Sequence, residues 1–218
     1  MKIINLASQT SLASQYMAEL RDVNVQKCRL RFRENLRRIG QIMAYEISKT
    51  LPFKATDVNT PLGTAKCQTV GDDVVIATIL RAGLPLHEGI LSYFDNAENA
   101  FVSAYRKYKE ESDEFDIHIE YIASPRIDGK TLIIADPMLA TGSSMELAYR
   151  ALLTKGNPAQ IHVVSVIASQ QAVDFVARHL PSDHTTLWVA AIDPELNAHS
   201  YIVPGLGDAG DLAYGEKE

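Results

Sequence analysis

Residues 131–155 read TLIIADPMLATGSSMELAYRALLTK, and this stretch decides the predicted fold. Residues 131–136 are apolar at almost every position, as expected of a strand that is covered on both faces. A loop of small and polar residues follows, and residues 144–155 show a helical pattern. A buried strand, a tight loop and a helix in succession are typical of a doubly wound α/β sheet.

Further apolar runs repeat this pattern before and after that stretch. They predict strands at residues 74–80, 100–105, 161–169 and 185–193. Helices are predicted between strands at residues 84–93 and 170–179, with right-handed crossovers. The sequence therefore predicts an α/β fold with a mostly parallel sheet flanked by helices.

The chain before residue 74 is predicted to be helical. Apolar residues recur there every three or four positions and predict one long helix over residues 24–50. The apolar stripe comprises Val25, Cys28, Phe32, Leu36, Ile39, Met43 and Ile47. The opposite face is basic and comprises Lys27, Arg29, Arg31, Arg33, Arg37 and Arg38. A solvated surface, a site for an anionic effector and an oligomer contact are all compatible with that basic face.

One domain is expected over residues 1–218, because a single α/β core accommodates a chain of this length. Its predicted parts are a helical region at 1–73, an α/β core at 74–193, and a terminal loop and tail at 194–218 without a further helix. Residues 106–128 interrupt the core and predict a mobile hairpin over the sheet edge.

The charge balance limits the classes of function. The chain has 21 Lys and Arg against 27 Asp and Glu, a net charge of -6, which disfavours broad binding to nucleic acid or to an anionic membrane. The sequence has no apolar run of membrane-spanning length and no export signal, so a soluble cytoplasmic protein is expected. Cys28 and Cys67 are far apart and indicate neither a disulfide framework nor a zinc site.

The loop from Asp136 to Ser144, named the cradle below, carries the strongest candidate site. Its small residues let the backbone curl, its amides and hydroxyls can donate to phosphate oxygens, and the following helix adds partial positive charge. Asp136 at the strand end would accept hydrogen bonds from sugar hydroxyls. A plain helix start, capped by Ser143 or Ser144 with Glu146 in the first turn, is the alternative, and it leaves Asp136 unexplained.

Three motifs together resemble the uracil phosphoribosyltransferase family. Residues 135–144, ADPMLATGSS, are similar to its loop for phosphoribosyl pyrophosphate (PRPP), residues 79–84, ILRAGL, to its pyrophosphate loop, and residues 201–211, YIVPGLGDAGD, to its base-binding hood. The motifs occur in the family's order, and the similarity covers most of residues 74–215. The resemblance implies a type I phosphoribosyltransferase fold. It also implies a Mg²⁺-dependent pentosyltransferase that joins the phosphoribosyl group of PRPP to uracil N1, giving UMP for pyrimidine salvage and releasing pyrophosphate.

The resemblance also implies roles for individual residues. PRPP is expected to contact Arg81, Arg106, Asp136, Pro137, Met138, Leu139, Ala140, Thr141, Gly142, Ser143, Ser144 and Asp208. Uracil is expected to contact Ile202, Gly207, Asp208 and Ala209. The predicted catalytic residues are Arg81, Arg106, Asp136 and Asp208, and Asp208 also helps to hold Mg²⁺, mainly through PRPP. Arg81 would make forked hydrogen bonds with pyrophosphate, and Gly83 would allow close backbone approach.

Two features depart from the family pattern, and several properties stay open. Ser143 replaces a glycine, and residues 106–128 lack the usual ETL…P…Y pattern of the mobile region. A homodimer is expected, and activation by GTP is left open. The rival from another class is a phosphoribosyltransferase-like regulator that binds pyrimidine nucleotides and RNA, which the acidic balance disfavours and the basic helix face favours. An orotate or purine transferase would need a different hood.

Overall fold

The computed structural model describes residues 1–71, 73–108 and 115–216, with residues 104–108 and 115–120 described by their backbone alone. Its strands are β1 (Lys2–Asn5), β2 (Phe53–Thr60), β3 (Gly63–Val70), β4 (Val74–Leu80), β5 (Glu98–Tyr108), β6 (Phe115–Ala123), β7 (Thr131–Ala135), β8 (Met138–Leu139), β9 (Gln160–Ser169), β10 (Thr185–Asp193), β11 (Glu195–Leu196) and β12 (Ile202–Val203). Its helices are α1 (Leu12–Arg21), α2 (Arg29–Ser48), α3 (Leu84–Leu91), α4 (Ser143–Leu152), α5 (Gln170–His179) and α6 (Ala209–Tyr214). Within these ranges no helix combines the length and the apolar character that crossing a membrane requires.

One sheet organises the molecule. Its strands follow the order β1-β10-β9-β7-β4-β5-β6, and the short β8 is added beside β9. Neighbouring strands run parallel, except that β6 pairs antiparallel to β5. The prediction of a mostly parallel sheet flanked by helices is therefore confirmed.

Both faces of the sheet are covered, which explains why its central strands are apolar throughout. Along β4, Val74 and Ile76 pack into one core with α1, α2 and α3, whereas Val75, Ala77 and Ile79 pack into the other core with α4 and α5. Side chains alternate between the faces because a strand has a period of two. Each fully buried aliphatic side chain contributes about 1.5–3 kcal/mol to folding.

The N-terminal region differs from the prediction of one helix over residues 24–50. Two helices are present, and α2 begins only at Arg29 because residues 23–27 form a turn after α1. The part of the apolar stripe from Phe32 to Ile47 is buried in the core, whereas Val25 and Cys28 precede the helix.

Residues 1–73 also contain three strands, which the prediction of an N-terminal helical region did not include. The short β1 pairs parallel to β10 at the sheet edge. The strands β2 and β3 form a separate antiparallel hairpin whose side chains are mostly exposed. Exposure on both faces removes the alternation of apolar and polar residues by which a strand is recognised.

After residue 193 the structure contains β11, β12 and α6, so the prediction of no further helix is wrong. The six residues of α6 are too few for a helical period to be visible in the sequence. By contrast, β4, β10 and α5 have their predicted bounds. The predicted hairpin at 106–128 is present in that β6 pairs with β5, while residues 109–114 lie outside the described residues.

Candidate active site

The carboxyl ends of β4 and β7 lie side by side at one edge of the sheet, and β5 runs alongside β4 and continues beyond it. Leu80, the last residue of β4, is in register with Ser103 of β5, and Thr78 is in register with Ala135, the last residue of β7. Ligands of open parallel sheets bind beyond such strand ends. The pyrophosphate loop and the cradle, which follow β4 and β7, are therefore brought together here.

Arg81 directly follows β4, and its guanidinium faces the C-terminal segment. Its Nη2 donates to Oδ1 of Asp211 and to the carbonyl oxygen of Gly215, each at 3.2 Å. Its Nε is buried and has no hydrogen-bond partner within the described ranges. A guanidinium with an unused donor at a strand end is suited to an anionic ligand.

Gly83 of the pyrophosphate loop is required by packing. A Cβ at this position would overlap Oγ1 of Thr78 and the carbonyl oxygen of Ile79, and it would lie 3.1 Å from the carbonyl oxygen of Ala135. Packing within the protein thus already requires glycine here, and the close approach of this backbone to pyrophosphate stays a prediction.

The first half of the cradle is fixed by main-chain hydrogen bonds to β9. The amide of Asp136 donates to β9 at 3.0 Å, and the carbonyl oxygen of Pro137 accepts from two amides of β9 at 3.0 and 3.1 Å. Met138 and Leu139 then form β8, which pairs with β9. The cradle is therefore an extension of the sheet.

The curl in the second half of the cradle depends on Gly142. Its φ of 86° lies in the left-handed region, and a Cβ there would lie 2.7 Å from Cδ1 of Phe175. Gly142 is the N-cap of α4, and no side chain caps this helix end, so the alternative of capping by Ser143 or Ser144 is wrong. Glu146 lies in the first turn, as predicted. The amide of Ser143 donates to Thr141 Oγ1 at 3.4 Å, and the amides that follow it in the first turn of α4 remain available to a phosphate.

Two hydroxyl contacts shape the cradle from within. Thr141 Oγ1 donates to Ser143 Oγ at 3.2 Å, so the serine that replaces the family's glycine is tied to its neighbour. The buried Ser169 donates from Oγ to the carbonyl oxygen of Ala140 at 2.5 Å. In a trans peptide the carbonyl oxygen and the following N–H point in opposite directions. Because the carbonyl oxygen of Ala140 points toward Ser169, the N–H of Thr141 points away from Ser169. Ser169 is absent from the predicted site, because its sequence position shows only a serine between a strand and a helix.

The pKa of the Asp136 carboxyl group is raised by burial. Although the residue keeps partial solvent exposure, desolvation raises the pKa of this carboxyl to about 7, against the smaller opposing effect of the Met138 amide. That amide donates to Oδ1 of Asp136 at 3.3 Å. Hydroxyl donors of a ligand would favour the ionised form and lower this pKa, which suits the predicted contact with ribose.

The hood is attached through a forked ion pair. Arg21 of α1 donates from Nη1 and Nη2 to the two carboxylate oxygens of Asp193, each at 2.7 Å. The same carboxylate accepts from the amide of Gly205 at 2.8 Å, and Arg21 donates to the carbonyl oxygen of Gly205 at 2.9 Å. Burial alone would raise the pKa of Asp193, but Arg21 and the Gly205 amide outweigh it and hold that pKa below its ordinary value. Arg21 and Asp193 are not part of the predicted site. Asp193 could have been found, because it is an acidic residue at the end of the buried strand β10.

The predicted uracil contacts occupy different environments. Ile202 and Ala209 are buried, whereas Gly207 is exposed. The amide of Ala209 points at Sδ of Met138, 3.3 Å away, so the hood touches the cradle at this position. Because a thioether is a weak acceptor, this N–H is available to a better one.

Asp208 caps α6. Its Oδ1 accepts from the amides of Gly210 and Asp211 at 2.8 and 3.0 Å. Among the residues that the structure describes, no cluster of three or more acidic, histidine or cysteine side chains is placed to hold a metal ion. The role of Asp208 in holding Mg²⁺, mainly through PRPP, stays a prediction.

Arg106 is placed only in part. Its backbone lies in β5, opposite Ile117 of β6. Its side chain lies outside the described part of the structure, so its contact with PRPP stays a prediction. The same holds for the closing motion expected of residues 106–128.

The mostly parallel sheet with flanking helices is a fold that solved phosphoribosyltransferases share. A hypoxanthine phosphoribosyltransferase from Staphylococcus aureus shares the fold with a TM-score of 0.50 at 13% identity, over 75% of this chain and 76% of that chain. A protein from Aquifex aeolicus is more similar, with a TM-score of 0.85 at 31% identity over 98% of both chains.

Sequence relatives narrow this class to one family. The uracil phosphoribosyltransferase family model matches residues 7–216. The uracil phosphoribosyltransferase of Porphyromonas gingivalis is 64% identical over 217 residues, which cover 100% of both chains. That of Pyrobaculum arsenaticum is 44% identical over 205 residues, 93% of this chain and 94% of the relative. The chain belongs to the uracil phosphoribosyltransferase family, and the resemblance carried by its motifs is confirmed.

Proposed function

We propose that this protein transfers the phosphoribosyl group of PRPP to N1 of uracil, forming UMP and releasing pyrophosphate. The observation that carries the proposal is the convergence of three loops beyond β4 and β7. Arg81 of the pyrophosphate loop contacts Asp211 of the hood, and Ala209 of the hood contacts Met138 of the cradle. One site thus offers a cation, a phosphate cradle and a base-binding loop, and family membership supports the same reaction.

The cradle suits the 5-phosphate and the ribose of PRPP. Gly142 turns the chain at the start of α4, and apart from the Ser143 amide, which donates to Thr141 Oγ1, the first-turn amides and the positive dipole end of the helix are available to an anion. Asp136 at the other end of the cradle would accept hydrogen bonds from the ribose hydroxyls. These contacts would fix C1 of the ribose relative to the base, which lowers the entropic part of the barrier.

Loss of pyrophosphate places negative charge on the leaving group and positive charge on the ribose. Arg81 would stabilise the leaving group through the buried Nε that has no partner among the described residues. Arg106 is assigned to the same group by resemblance. Asp208 would help to hold Mg²⁺ through the oxygens of PRPP, and the ion would neutralise part of the leaving group's charge.

Uracil presents an acceptor, a donor and an acceptor along O2, N3–H and O4. The main chain near Ile202, Gly207 and Ala209 is proposed to offer complementary groups, with Asp208 beside them. The Ala209 amide supports this assignment because it faces a weak sulfur acceptor that a carbonyl oxygen of uracil would replace.

A homodimer is proposed, with the hairpin of β2 and β3 as a contact arm. The hairpin forms its own two-stranded sheet, and its apolar residues Phe53 and Leu62 are 48% and 100% exposed. Exposed apolar side chains of this kind favour burial against a second copy. A mass of two chains in size-exclusion chromatography with light scattering is expected, and a single chain at micromolar concentration would contradict the dimer.

Residues 1–218 are proposed to act as one cytoplasmic domain. One core combines α1, the sheet and the hood, since Met17, Trp188 and Leu206 belong to the same buried cluster. Cys28 and Cys67 are free thiols, which suits a reducing compartment.

The basic face of α2 gives partial support for a GTP effector. Arg31 and Arg37 lie 3.8 and 3.7 Å from glutamate oxygens, and Arg33 donates to the main chain of α6. Lys27 and Arg29 line a cavity of about 410 Å³ together with Gly207, Asp208 and Asp211 of the hood, so this cavity belongs to the proposed active site and is not assigned to an effector. The RNA-binding alternative is not favoured, because these arginines are engaged within the chain and the family match is to a transferase.

The reaction is tested with a panel of bases. Purified protein, PRPP and Mg²⁺ are mixed with uracil, orotate, hypoxanthine or adenine, and pyrophosphate release is followed. Release is expected with uracil alone and is expected to stop when EDTA removes Mg²⁺. Release with orotate or a purine in place of uracil would contradict the proposed function.

A further inference from the structure

The guanidinium of Arg81 is bound by the C-terminal segment rather than by its own loop. Its Nη2 lies 3.2 Å from Oδ1 of Asp211 and 3.2 Å from the carbonyl oxygen of Gly215. Both groups belong to the segment that begins with the hood, 130 and 134 positions along the chain from Arg81. The pyrophosphate loop and the C-terminal segment are thus joined by one side chain.

The segment that holds Arg81 is itself fixed on its other side. Arg33 of α2 donates to the carbonyl oxygen of Ala213 at 2.7 Å, and its guanidinium lies 5.9 Å from the ring centre of Tyr214. Asp208 caps the first turn of α6. Asp211 is therefore presented from a supported helix, and its contact can orient Arg81.

The contact with Asp211 and Gly215 leaves part of the guanidinium unused. Both acceptors share Nη2, whereas the buried Nε has no partner among the described residues. A buried donor without a partner costs free energy unless a ligand completes its hydrogen bond. Phosphate oxygens of the leaving group are the acceptors that the proposed reaction would bring to this donor.

We propose that Asp211 and the Gly215 carbonyl are positioning groups that hold Arg81 in the orientation in which its remaining donors meet pyrophosphate. This inference rests on the proposed function, because it assigns pyrophosphate to Arg81. The inference links the hood to binding of the leaving group. The segment that follows the proposed uracil contacts would also orient the Arg81 guanidinium toward pyrophosphate.

The sign of the effect separates positioning from simple electrostatics. Asp211 carries a negative charge near a site for an anion, so removal of that charge alone would strengthen pyrophosphate binding. Loss of the positioning contact would instead let Arg81 turn away and weaken binding. The two effects are opposed, and the proposal requires the second to be larger.

The test is calorimetric titration of the full-length protein with pyrophosphate at a fixed Mg²⁺ concentration. Asp211→Asn is expected to weaken pyrophosphate binding about 10-fold, as for a misplaced binding group, while UMP binding changes by less than about threefold. Glu216→Gln is the matched control, since Glu216 is an exposed acid of the same segment, and it is expected to bind pyrophosphate as the wild type does or slightly more tightly. Unchanged or tighter binding by Asp211→Asn would overturn the proposal.

A second measurement distinguishes the loss of positioning from a general loss of structure. In an Arg81→Ala background, Asp211→Asn is expected to change pyrophosphate binding by less than about twofold, because the residue it positions is gone. An equal loss in both backgrounds would overturn the proposal and leave Asp211 a structural residue. Because binding is measured without turnover, an absence of UMP formation by the wild type would remove the proposed function separately.

Discussion

The cradle and the hood lie at the same end of the sheet, but different kinds of bonds hold them there. Main-chain hydrogen bonds to β9 fix the cradle, and β8 makes it part of the sheet. The hood depends on charged side chains, chiefly the pair of Arg21 with Asp193 and the contact of Arg81 with Asp211. The phosphate end of the site is therefore preformed by the fold, whereas the base end depends on ion pairs that a single substitution can break.

Arg81 lies where the two regions meet, and its removal is expected to have the largest effect. Arg81→Ala should lower the rate at saturating PRPP and uracil by roughly 10²- to 10³-fold, as for loss of one electrostatic transition-state donor. Steady-state kinetics measure this effect. Arg126→Ala is the control, because Arg126 is an exposed arginine whose side chain is 89% accessible. A fall of less than about threefold for Arg81→Ala would make Arg81 a structural residue.

The conformation of the cradle should depend on Gly142. Gly142→Ala is expected to raise the KM for PRPP about 10- to 100-fold, because the left-handed conformation costs about 1–2 kcal/mol and the new Cβ meets Phe175. Gly129→Ala is matched in conformation, with a φ of 69°, but nothing lies within 4 Å of its Cβ. It should lower stability and leave this KM unchanged. Equal effects of the two variants on the KM would remove the cradle hypothesis.

The ionised carboxylate of Asp136 should lower the stability of the folded protein. Its pKa of about 7 lies above the ordinary value of 3.8, so the folded state binds the proton more tightly and stability falls as pH rises from about 4 to about 7. Asp136→Asn is expected to raise the free energy of unfolding by about 2 kcal/mol at pH 8 and to leave it unchanged near pH 4. Urea denaturation at both pH values tests this, and a variant less stable than the wild type at pH 8 would contradict it.

The hood should respond selectively when its ion pair is weakened. Asp193→Asn is expected to raise the KM for uracil about fivefold and to change that for PRPP by less than twofold, because a charge-assisted contact of about 1.5–3 kcal/mol is partly lost. Asp57→Asn is the control, since Asp57 forms an exposed ion pair with Lys66 in the hairpin of β2 and β3. A parallel rise of both constants in Asp193→Asn would show that the hood and the cradle are not held independently.

The sequence predicted those elements whose burial gives a clear pattern of apolar residues. β4, β9 and β10 are buried on both faces and read as continuous apolar runs, and α5 shows a regular apolar face. The hairpin of β2 and β3 is exposed on both faces and β1 has four residues, so neither shows a usable period. These elements are defined by partners distant in the chain, such as β10 for β1.

The candidate site shows the same division. Asp136 became a candidate because the carboxyl edge of a parallel sheet is where ligands bind, whereas Arg81 became one only through the resemblance of its loop to the family. The contacts that hold them were not predictable, since Ser169 with Ala140 and Arg21 with Asp193 join positions far apart in the chain. Such pairs have no local pattern and appear only when the fold brings them together.

The central claim is that a main-chain edge of the hood selects uracil, and the ratio of kcat/KM for uracil to that for cytosine tests it most directly. Cytosine has an amino donor in place of O4 and no proton on N3, so it would leave groups of that edge unpaired or opposed. A site that relies on such hydrogen bonds rejects the wrong base by roughly 10⁴-fold. With PRPP and Mg²⁺ saturating, the account predicts a ratio of about 10⁴ for the wild-type protein. A ratio near one would show that the hood accepts any pyrimidine by stacking alone and would contradict the account.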